Sequence, residues 1–220
     1  HGPPGTGKTL VARQLARACS AHLVKNRPHD DRAEAKRSGV AFFVRNGADC
    51  LSKYVGEAEK ALGSLFDEAK AKAPSIIFFD ELDGLAPARA AGRGGSGELA
   101  QHSVVATLLA LMDGLADRGD VVVIGATNRP QELDDGARRR LAKQLYIPLP
   151  CADARRAIVV NILDADASVT HRLSDADLNV ICEKTDGYSG SDMKHLVQEA
   201  ARAPLRELFQ SVTAGGGGAE

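Results

Sequence analysis

The chain has 220 residues, of which 44% are apolar and 26% charged, and its formal net charge is −1 at pH 7. This composition is ordinary for a globular protein of one domain, or of one domain with a small appendage. The balanced charge offers no overall attraction for nucleic acid or for an anionic membrane, and no apolar run approaches the ~20 residues of a membrane span. We therefore expect no membrane segment and no direct nucleic-acid binding.

A glycine-rich pattern lies at the start of the chain. Residues 2–9 have the sequence G-P-P-G-T-G-K-T, which fits the pattern G-x-x-x-x-G-K-[ST] without a gap. Glycines allow a tight turn whose N–H groups converge, and a helix opening at Gly7 adds its positive dipole end, so such a turn holds phosphate. Lys8 can reach the outer phosphates, and the Thr9 hydroxyl is placed to bind Mg²⁺. The alternative is an ordinary Gly/Pro turn, but the full pattern should arise by chance in about one chain in a hundred. We therefore predict a phosphate-binding loop.

Loops of this kind normally follow a buried strand, and no strand precedes His1 in this sequence. We therefore expect the chain to be a fragment of a longer protein, with a sheet that lacks its first strand.

Hydrophobic spacing then predicts alternating helices and strands. The predicted helices of this part cover residues 7–18, 58–69 and 104–115, the predicted strands cover residues 40–44, 76–80, 121–126 and 145–147, and residues 20–38 and 88–97 are predicted to be loops. After Pro150 the strand signals stop, and three further helices are predicted over residues 152–163, 174–185 and 189–209, the last of them kinked or interrupted at Pro204.

This order of elements predicts an α/β fold with a parallel sheet over residues 1–149. A small helical subdomain over residues 150–212 and a flexible Gly-rich tail over residues 213–220 follow it. The cysteines are scattered and the histidines form no metal-spaced pair, which predicts reduced thiols of an intracellular protein, cytoplasmic or nuclear, instead of zinc ligands or disulfides. The four cysteines are Cys19, Cys50, Cys151 and Cys182.

Polar side chains follow two of the predicted strands. Asp80 and Glu81 end a continuous apolar run, where Asp80 is suited to hold Mg²⁺ through water and Glu81 to polarise an attacking water. Alone, such carboxylates would be read as helix caps or turn residues, but the phosphate loop upstream favours catalysis. Asn128 could orient the same water or touch the γ-phosphate, or could be a turn residue before Pro130.

Residues 138–140 are three consecutive arginines. Such a run is usually a solvated patch. In a nucleotide hydrolase, however, arginines can stabilise the charge that develops on the phosphoryl oxygens.

Taken together, these motifs resemble the AAA ATPase module over about residues 1–210. Residues 2–9 match Walker A, residues 76–81 match Walker B, and Asn128 matches sensor 1. The resemblance implies a P-loop NTPase fold with a helical lid, which binds ATP with Mg²⁺ on Thr9 and Asp80. The nucleotide-binding positions that it implies are Pro4, Gly5, Thr6, Gly7, Lys8, Thr9 and Leu10, with Gly190 and Ser191 of the lid.

The resemblance also implies a ring. Arg139 and Arg140 match the arginine fingers, which in this family act on the nucleotide of a neighbouring subunit, and Asp113-Gly114 lies where the family has its intersubunit signalling motif. Pore loop 1, whose aromatic residue grips a polypeptide in the central channel of a hexamer, is matched by Lys53, Tyr54 and Val55. The implied catalytic residues are Glu81, Asn128, Arg139 and Arg140, and the implied partners are further copies of the chain and a protein substrate.

The two parts of the chain resemble different subfamilies. Residues 1–128 are similar to the bromodomain-associated AAA ATPases and their valosin-like relatives, through residues 47–53, 78–87 and 106–115. Beyond Pro130 the chain is similar to the fidgetin-like proteins of the microtubule-severing clade, through residues 131–134, 138–141, 146–150, 187–193 and 204–207. The implied substrate is therefore either a chromatin protein or a microtubule.

The leading hypothesis is an ATP hydrolase that remodels protein assemblies as a ring. One alternative is a scaffold that holds ATP without turning it over. A second alternative is a GTPase. That class recognises guanine with the motif N-K-x-D, and the nearest match, residues 183–186 with the sequence E-K-T-D, lacks the asparagine. A nucleic-acid motor should show a basic track, which the balanced charge does not provide.

Overall fold

The computed structural model describes residues 1–26, 39–50, 56–87, 96–115, 120–165 and 171–215. The chain divides into two compact units. The first contains His1–Gly2 and Lys8–Tyr146, and the second contains Pro3–Gly7 and Ile147–Glu220. Within the described ranges, no helix is both long and apolar enough to cross a membrane.

Within the residues that the structure describes, the first unit is built on a parallel sheet of three strands, which correspond to three of the four strands that the sequence predicts. These are β1 (Ala41–Asn46), β2 (Ser75–Asp80) and β3 (Val121–Gly125), in the spatial order β1-β2-β3. β2 is the central strand, and its first five residues are buried, on both faces of the sheet. Burial on both faces explains the continuous apolar run. The register places Asn46 of β1 beside Asp80 of β2, so polar residues meet at the carboxyl edge of the sheet.

Helices cover the sheet on both faces. Ile77 and Phe79 belong to the larger core cluster, with Phe66 and Leu108, whereas Phe78 points to a smaller cluster with Ala12. This alternation is the period of two that a strand imposes on its side chains. The helices of the first unit are α1 (Lys8–Asn26), α2 (Glu57–Ala71), α3 (Leu82–Leu85), α4 (Ser96–Asp113) and α5 (Asp135–Arg140).

In the described part of the second unit there are three helices, α6 (Ala152–Ala165), α7 (Asp175–Lys184) and α8 (Gly190–Gly215). They share a small core of Val159, Leu163, Leu178, Met193 and Val197. A capping box fixes the start of α7, since the side chains of Ser174 and Asp177 each accept a backbone N–H of the other residue.

The structure corrects several boundaries. Residues 20–26 belong to α1 and not to a loop, because the first helix breaker is Pro28; the rest of that predicted loop lies outside the described residues. Residues 96 and 97 likewise begin α4, while residues 88–95 are outside the described ranges. Pro204 does not interrupt α8, since a proline removes only one of the helix hydrogen bonds and the neighbouring turns keep theirs.

Residues 145–147 are not a strand, contrary to the prediction. A short apolar run becomes a strand only when a neighbouring strand pairs with its backbone. The described residues offer it no such neighbour; the Leu145 carbonyl instead accepts a hydrogen bond from the His1 amino group at 2.7 Å.

Candidate nucleotide site

The predicted metal ligands are brought together in the first unit. Thr9, at the start of α1, donates its hydroxyl to Asp80 Oδ2 at 2.6 Å, across 71 residues of sequence. A hydroxyl and a carboxylate are hard oxygen donors of the kind that Mg²⁺ prefers, so this pair fits a magnesium ion. Beside it, Lys8 Nζ donates to the Gly2 carbonyl at 2.9 Å. Burial lowers the pKa of the Lys8 ammonium, and the negative charge of Asp80 acts in the opposite direction.

The conformation of the loop requires its glycines. Gly5 and Gly7 have φ angles of 73° and 85°, a left-handed conformation that a side chain disfavours. Within the second unit, a Cβ on Gly5 would lie 2.5 Å from Ser189 Oγ. The Gly5 carbonyl accepts a hydrogen bond from the Ser191 amide at 3.1 Å.

The start of α8 therefore lies against Gly5 of the loop, and the contact of Gly190 and Ser191 with a nucleotide stays a prediction. A second capping box fixes this helix start: Asp192 Oδ2 accepts from the Ser189 amide at 2.9 Å, and the Asp192 amide donates to Ser189 Oγ at 3.3 Å. The Ser189 hydroxyl and amide also lower the pKa of the Asp192 carboxyl.

The remaining predicted loop residues differ in their surroundings. The Thr6 hydroxyl donates to the Pro3 carbonyl at 2.9 Å, which closes the turn on itself. Pro4 is exposed, and Leu10 on α1 keeps 61% of its surface exposed. Because they are exposed, packing of the Pro4 and Leu10 side chains contributes little to holding the loop in its conformation.

Glu81 follows β2 in an unusual backbone conformation, with φ 49° and ψ 49°. Its exposed carboxylate accepts a hydrogen bond from Asn46 Nδ2 at 3.4 Å. Sequence analysis missed Asn46. It was nevertheless visible by the signal that indicated Asp80, since it is the polar last residue of an apolar strand.

Asn128 follows β3 and is exposed. The residue before it, Thr127, is buried and donates its hydroxyl to Asp83 Oδ1 at 2.5 Å. The Leu82 amide donates to the Ala126 carbonyl at 2.9 Å. The polar ends of β2 and β3 are thus joined directly, through a contact with Asp83 that sequence analysis did not find.

The three arginines of α5 differ from one another. The Arg140 guanidinium donates two hydrogen bonds to the Asp113 carboxylate, from Nε to Oδ1 at 2.6 Å and from Nη2 to Oδ2. This contact raises the pKa of the Arg140 guanidinium and lowers that of the Asp113 carboxyl. Arg138 pairs with Asp135 in its own helix. Arg139 is exposed, and among the described residues its side chain has no partner.

Two groups of predicted residues take no part in this geometry. Lys53, Tyr54 and Val55, the predicted pore loop, lie outside the described residues. The four cysteines are free thiols.

Comparison with known proteins identifies the family. Residues 1–149 match the model of the ATPase family associated with various cellular activities (AAA), and residues 175–215 match that of the AAA+ lid domain. The chain belongs to the AAA family. The predicted parallel AAA fold with a helical lid is confirmed, and membership of this family makes nucleotide binding the general function of the domain.

The chain is also similar to individual AAA proteins. It is 47% identical over 212 residues to "ATPase histone chaperone abo1" of Schizosaccharomyces pombe, covering 95% of this chain and 16% of that protein. It is 47% identical over 217 residues to human "ATPase family AAA domain-containing protein 2B", covering 97% of this chain and 13% of that protein. The chain thus spans less than a fifth of the length of these relatives.

Among solved structures, the AAA domain of FIGL-1 in complex with ADP superposes with a TM-score of 0.74. The two are 37% identical, over 97% of this chain and 62% of that one. Relatives of both kinds expected from the sequence are therefore found. The match to abo1 covers 95% of the chain, so it includes residues on both sides of Pro130.

Proposed function

We propose that the chain is the motor domain of an ATP hydrolase that remodels protein assemblies as a homo-oligomeric ring, most simply a hexamer. The hydrogen bond from Thr9 to Asp80, at 2.6 Å, carries this proposal. It joins the phosphate loop to the carboxylate that directly precedes Glu81. A phosphate, a metal and a polarising carboxylate would then share one edge of the sheet, which is what hydrolysis of a phosphoanhydride requires.

Each residue at this edge has a proposed role. The N–H groups of residues 5–9 and the Lys8 ammonium bind the phosphates. Thr9 and Asp80 hold Mg²⁺, which when bound supplies positive charge to the phosphate oxygens. Glu81 accepts a proton from the attacking water as the oxygen of that water approaches the γ-phosphorus, and Asn128 fixes the direction of the water. ADP leaves from the opposite side.

The ring supplies the remaining parts of the proposal. Arg139 and Arg140 act as fingers on the nucleotide of a second copy, where a guanidinium stabilises the charge of the transferring phosphoryl group. Gly190 and Ser191 of the lid contact the nucleotide, and Tyr54, between Lys53 and Val55, grips the protein substrate. The proposed division is a large subdomain over residues 1–149, a lid over residues 150–212 and a tail over residues 213–220. The family-model matches, over residues 1–149 and 175–215, support the first two parts, whereas residues 213–215 of the proposed tail belong to α8.

The substrate we favour is a histone-containing assembly, which would place the protein in the nucleus. The support is the printed name of a relative with 47% identity, an ATPase histone chaperone. A second candidate is the microtubule, which the fidgetin-like features of residues 130–210 imply. The similarity to FIGL-1, at 37% identity, supports this second candidate.

A pair of variants tests the hydrolase proposal. We expect Glu81→Gln to bind ATP as the parent does but to lose at least about a hundredfold in kcat, because the amide cannot accept the proton of water. Lys8→Ala should instead weaken ATP binding itself. Binding by calorimetry and phosphate release measure the two effects, and added histones or tubulin show which substrate stimulates turnover.

A Glu81→Gln variant with the parental rate would refute the role of Glu81. A parent protein that binds ATP with Mg²⁺ and releases no phosphate would support the non-hydrolysing scaffold instead.

A further inference from the structure

Glu81 has a conformation that its own sequence does not favour. Among the described residues it is the sole non-glycine residue with a positive φ, at 49°. For a residue with a Cβ this region is disfavoured by a clash with the following carbonyl, and a residue stays there only when its surroundings hold it. The contacts that hold Glu81 therefore bear on how its carboxylate is placed.

The residues on both sides of Glu81 are fixed by hydrogen bonds. Before it, the Asp80 carbonyl accepts from the Gly47 amide at 2.7 Å, and Asp80 Oδ1 accepts from the Glu81 amide at 3.1 Å. After it, the Leu82 amide donates to the Ala126 carbonyl at 2.9 Å. The last contact in this series is made by side chains: Asp83 Oδ1 accepts from the Thr127 hydroxyl at 2.5 Å.

The same hydroxyl also shapes the turn that carries Asn128. Thr127 Oγ1 accepts a hydrogen bond from the Arg129 amide at 2.9 Å while it donates to Asp83. Thr127 is 6% exposed, so little water competes for these bonds. One hydroxyl group therefore ties the residue two positions after Glu81 to the residues on both sides of Asn128.

We propose that Asp83 and Thr127 are positioning residues for hydrolysis. Their hydrogen bond fixes the turn that bears Glu81 against the turn that bears Asn128. The Glu81 carboxylate and the Asn128 side-chain amide can then contact the same water molecule. This inference rests on the proposed function, because it assigns to the pair the alignment of two groups that act in that reaction. The bond needs a side chain at position 127 that donates and accepts at once, which serine provides and valine does not.

The central experiment compares Thr127→Val with Thr127→Ser. Valine has nearly the shape of threonine but lacks the hydroxyl, so we expect kcat to fall about tenfold or more from misalignment of the reacting groups. The KM for ATP and the affinity for a non-hydrolysable ATP analogue should stay within about twofold of the parent, since the phosphate loop is untouched. Thr127→Ser should keep most of the parental kcat.

The partner residue offers a matched pair. Asp83→Asn retains an oxygen that accepts from Thr127 and should keep most of the rate, whereas Asp83→Ala should behave like Thr127→Val. Loss of rate in Asp83→Asn equal to that in Asp83→Ala would contradict a hydrogen-bonding role.

A double variant separates alignment from folding. Thr127→Val alone leaves the Asp83 carboxylate without its donor, which can lower stability, but replacing both partners by apolar groups removes that penalty. The Arg129 amide loses its acceptor in either variant, so Thr127→Val with Asp83→Leu should melt at a higher temperature than Thr127→Val and still have a low kcat. Recovery of the parental kcat in the double variant would overturn the proposal, and this arm decides the question even where the single variant fails to fold.

The Glu81→Gln variant separates this inference from the proposed function. A fully active Glu81→Gln protein would refute the proposed function. An inactive Glu81→Gln protein combined with a parental kcat for Thr127→Val would refute the inference alone. In the Glu81→Gln background, Thr127→Val should cause no further loss.

Discussion

The turns at the carboxyl ends of β2 and β3 and the arginines of α5 lie in the same unit but are built differently. At the strand ends, hydrogen bonds to backbone and side-chain groups, one of them partly buried, fix the backbone around Glu81 from several directions. On α5, Arg139 and Arg140 project from a helix of six residues, and both residues are exposed. Arg140 donates a hydrogen bond to Asp113 of its own chain.

The difference indicates which parts of the site one chain completes alone. The strand-end turns have their partners within the chain, so they are aligned before any second copy arrives. The proposed partner of the arginines is the nucleotide of a second copy, so their action would depend on the ring. Defects at the strand ends should therefore affect the site of the same chain, and defects on α5 the site of a neighbour.

The largest effect that would separate the two regions is expected for Arg140→Ala. Removal of an arginine finger should lower the kcat of the assembled protein by about a thousandfold. Arg138→Ala is the matched control, because Arg138 is paired within α5 and has no proposed role in catalysis. Phosphate release, measured against protein concentration, compares the two variants.

Mixing tests whether the action is in trans. Chains carrying Arg140→Ala and chains carrying Glu81→Gln should regain part of the activity together, because some interfaces then combine an intact Arg140 with an intact Glu81. Activity that is independent of protein concentration, with no gain on mixing, would mean that each site is self-contained and that α5 carries a solvated patch.

An intermediate effect is expected for Gly47→Ala, at the strand-end turns. A Cβ at this position would lie 2.3 Å from the Glu81 carbonyl oxygen, so the backbone of the turn would have to shift. A displacement of about 1 Å at a reacting group can cost about a hundredfold in rate. We expect a loss of that order in kcat, together with a lower melting temperature.

Gly63→Ala serves as the control for Gly47→Ala. It lies within α2, and a Cβ there meets nothing within 4 Å, so alanine should stabilise the helix by about 0.5–1 kcal/mol. Parental kcat in Gly47→Ala would show that the Glu81 turn tolerates displacement.

The two regions also differ in how far the sequence predicts them. Asp80 and Glu81 could be located because a continuous apolar run ends there, and Thr9 because its spacing from the glycines is fixed by the loop. Asn46, the polar last residue of β1, could have been located by the same rule, but Asp83 was missed, since its contact with Thr127 joins residues 44 positions apart. Such contacts follow from strand register, which no local pattern encodes.

The same limit explains the remaining errors. The pairing of Arg140 with Asp113 spans 27 positions, and a run of charges does not indicate which opposite charge it will meet. Residues 145–147 have the apolar character of a strand, but strand formation depends on a neighbour elsewhere in the chain. Motif spacing therefore predicts the residues of the loop and the strand ends, whereas the contacts that align them come only from the structure.

The smallest effect is expected for Asp113→Asn, which tests how much the contact of Arg140 with its own chain matters. Both side chains are partly exposed, at 33% for Arg140 and 56% for Asp113, and ion pairs in that setting contribute little because water and salt screen them. Asparagine also keeps one oxygen that can accept from Nε. We expect a melting temperature within about 2 °C of the parent and a kcat within about fivefold. A loss as large as that of Arg140→Ala, without a change in melting temperature, would mean that Arg140 works only when Asp113 holds it, so that the α5 region too would be aligned by its own chain.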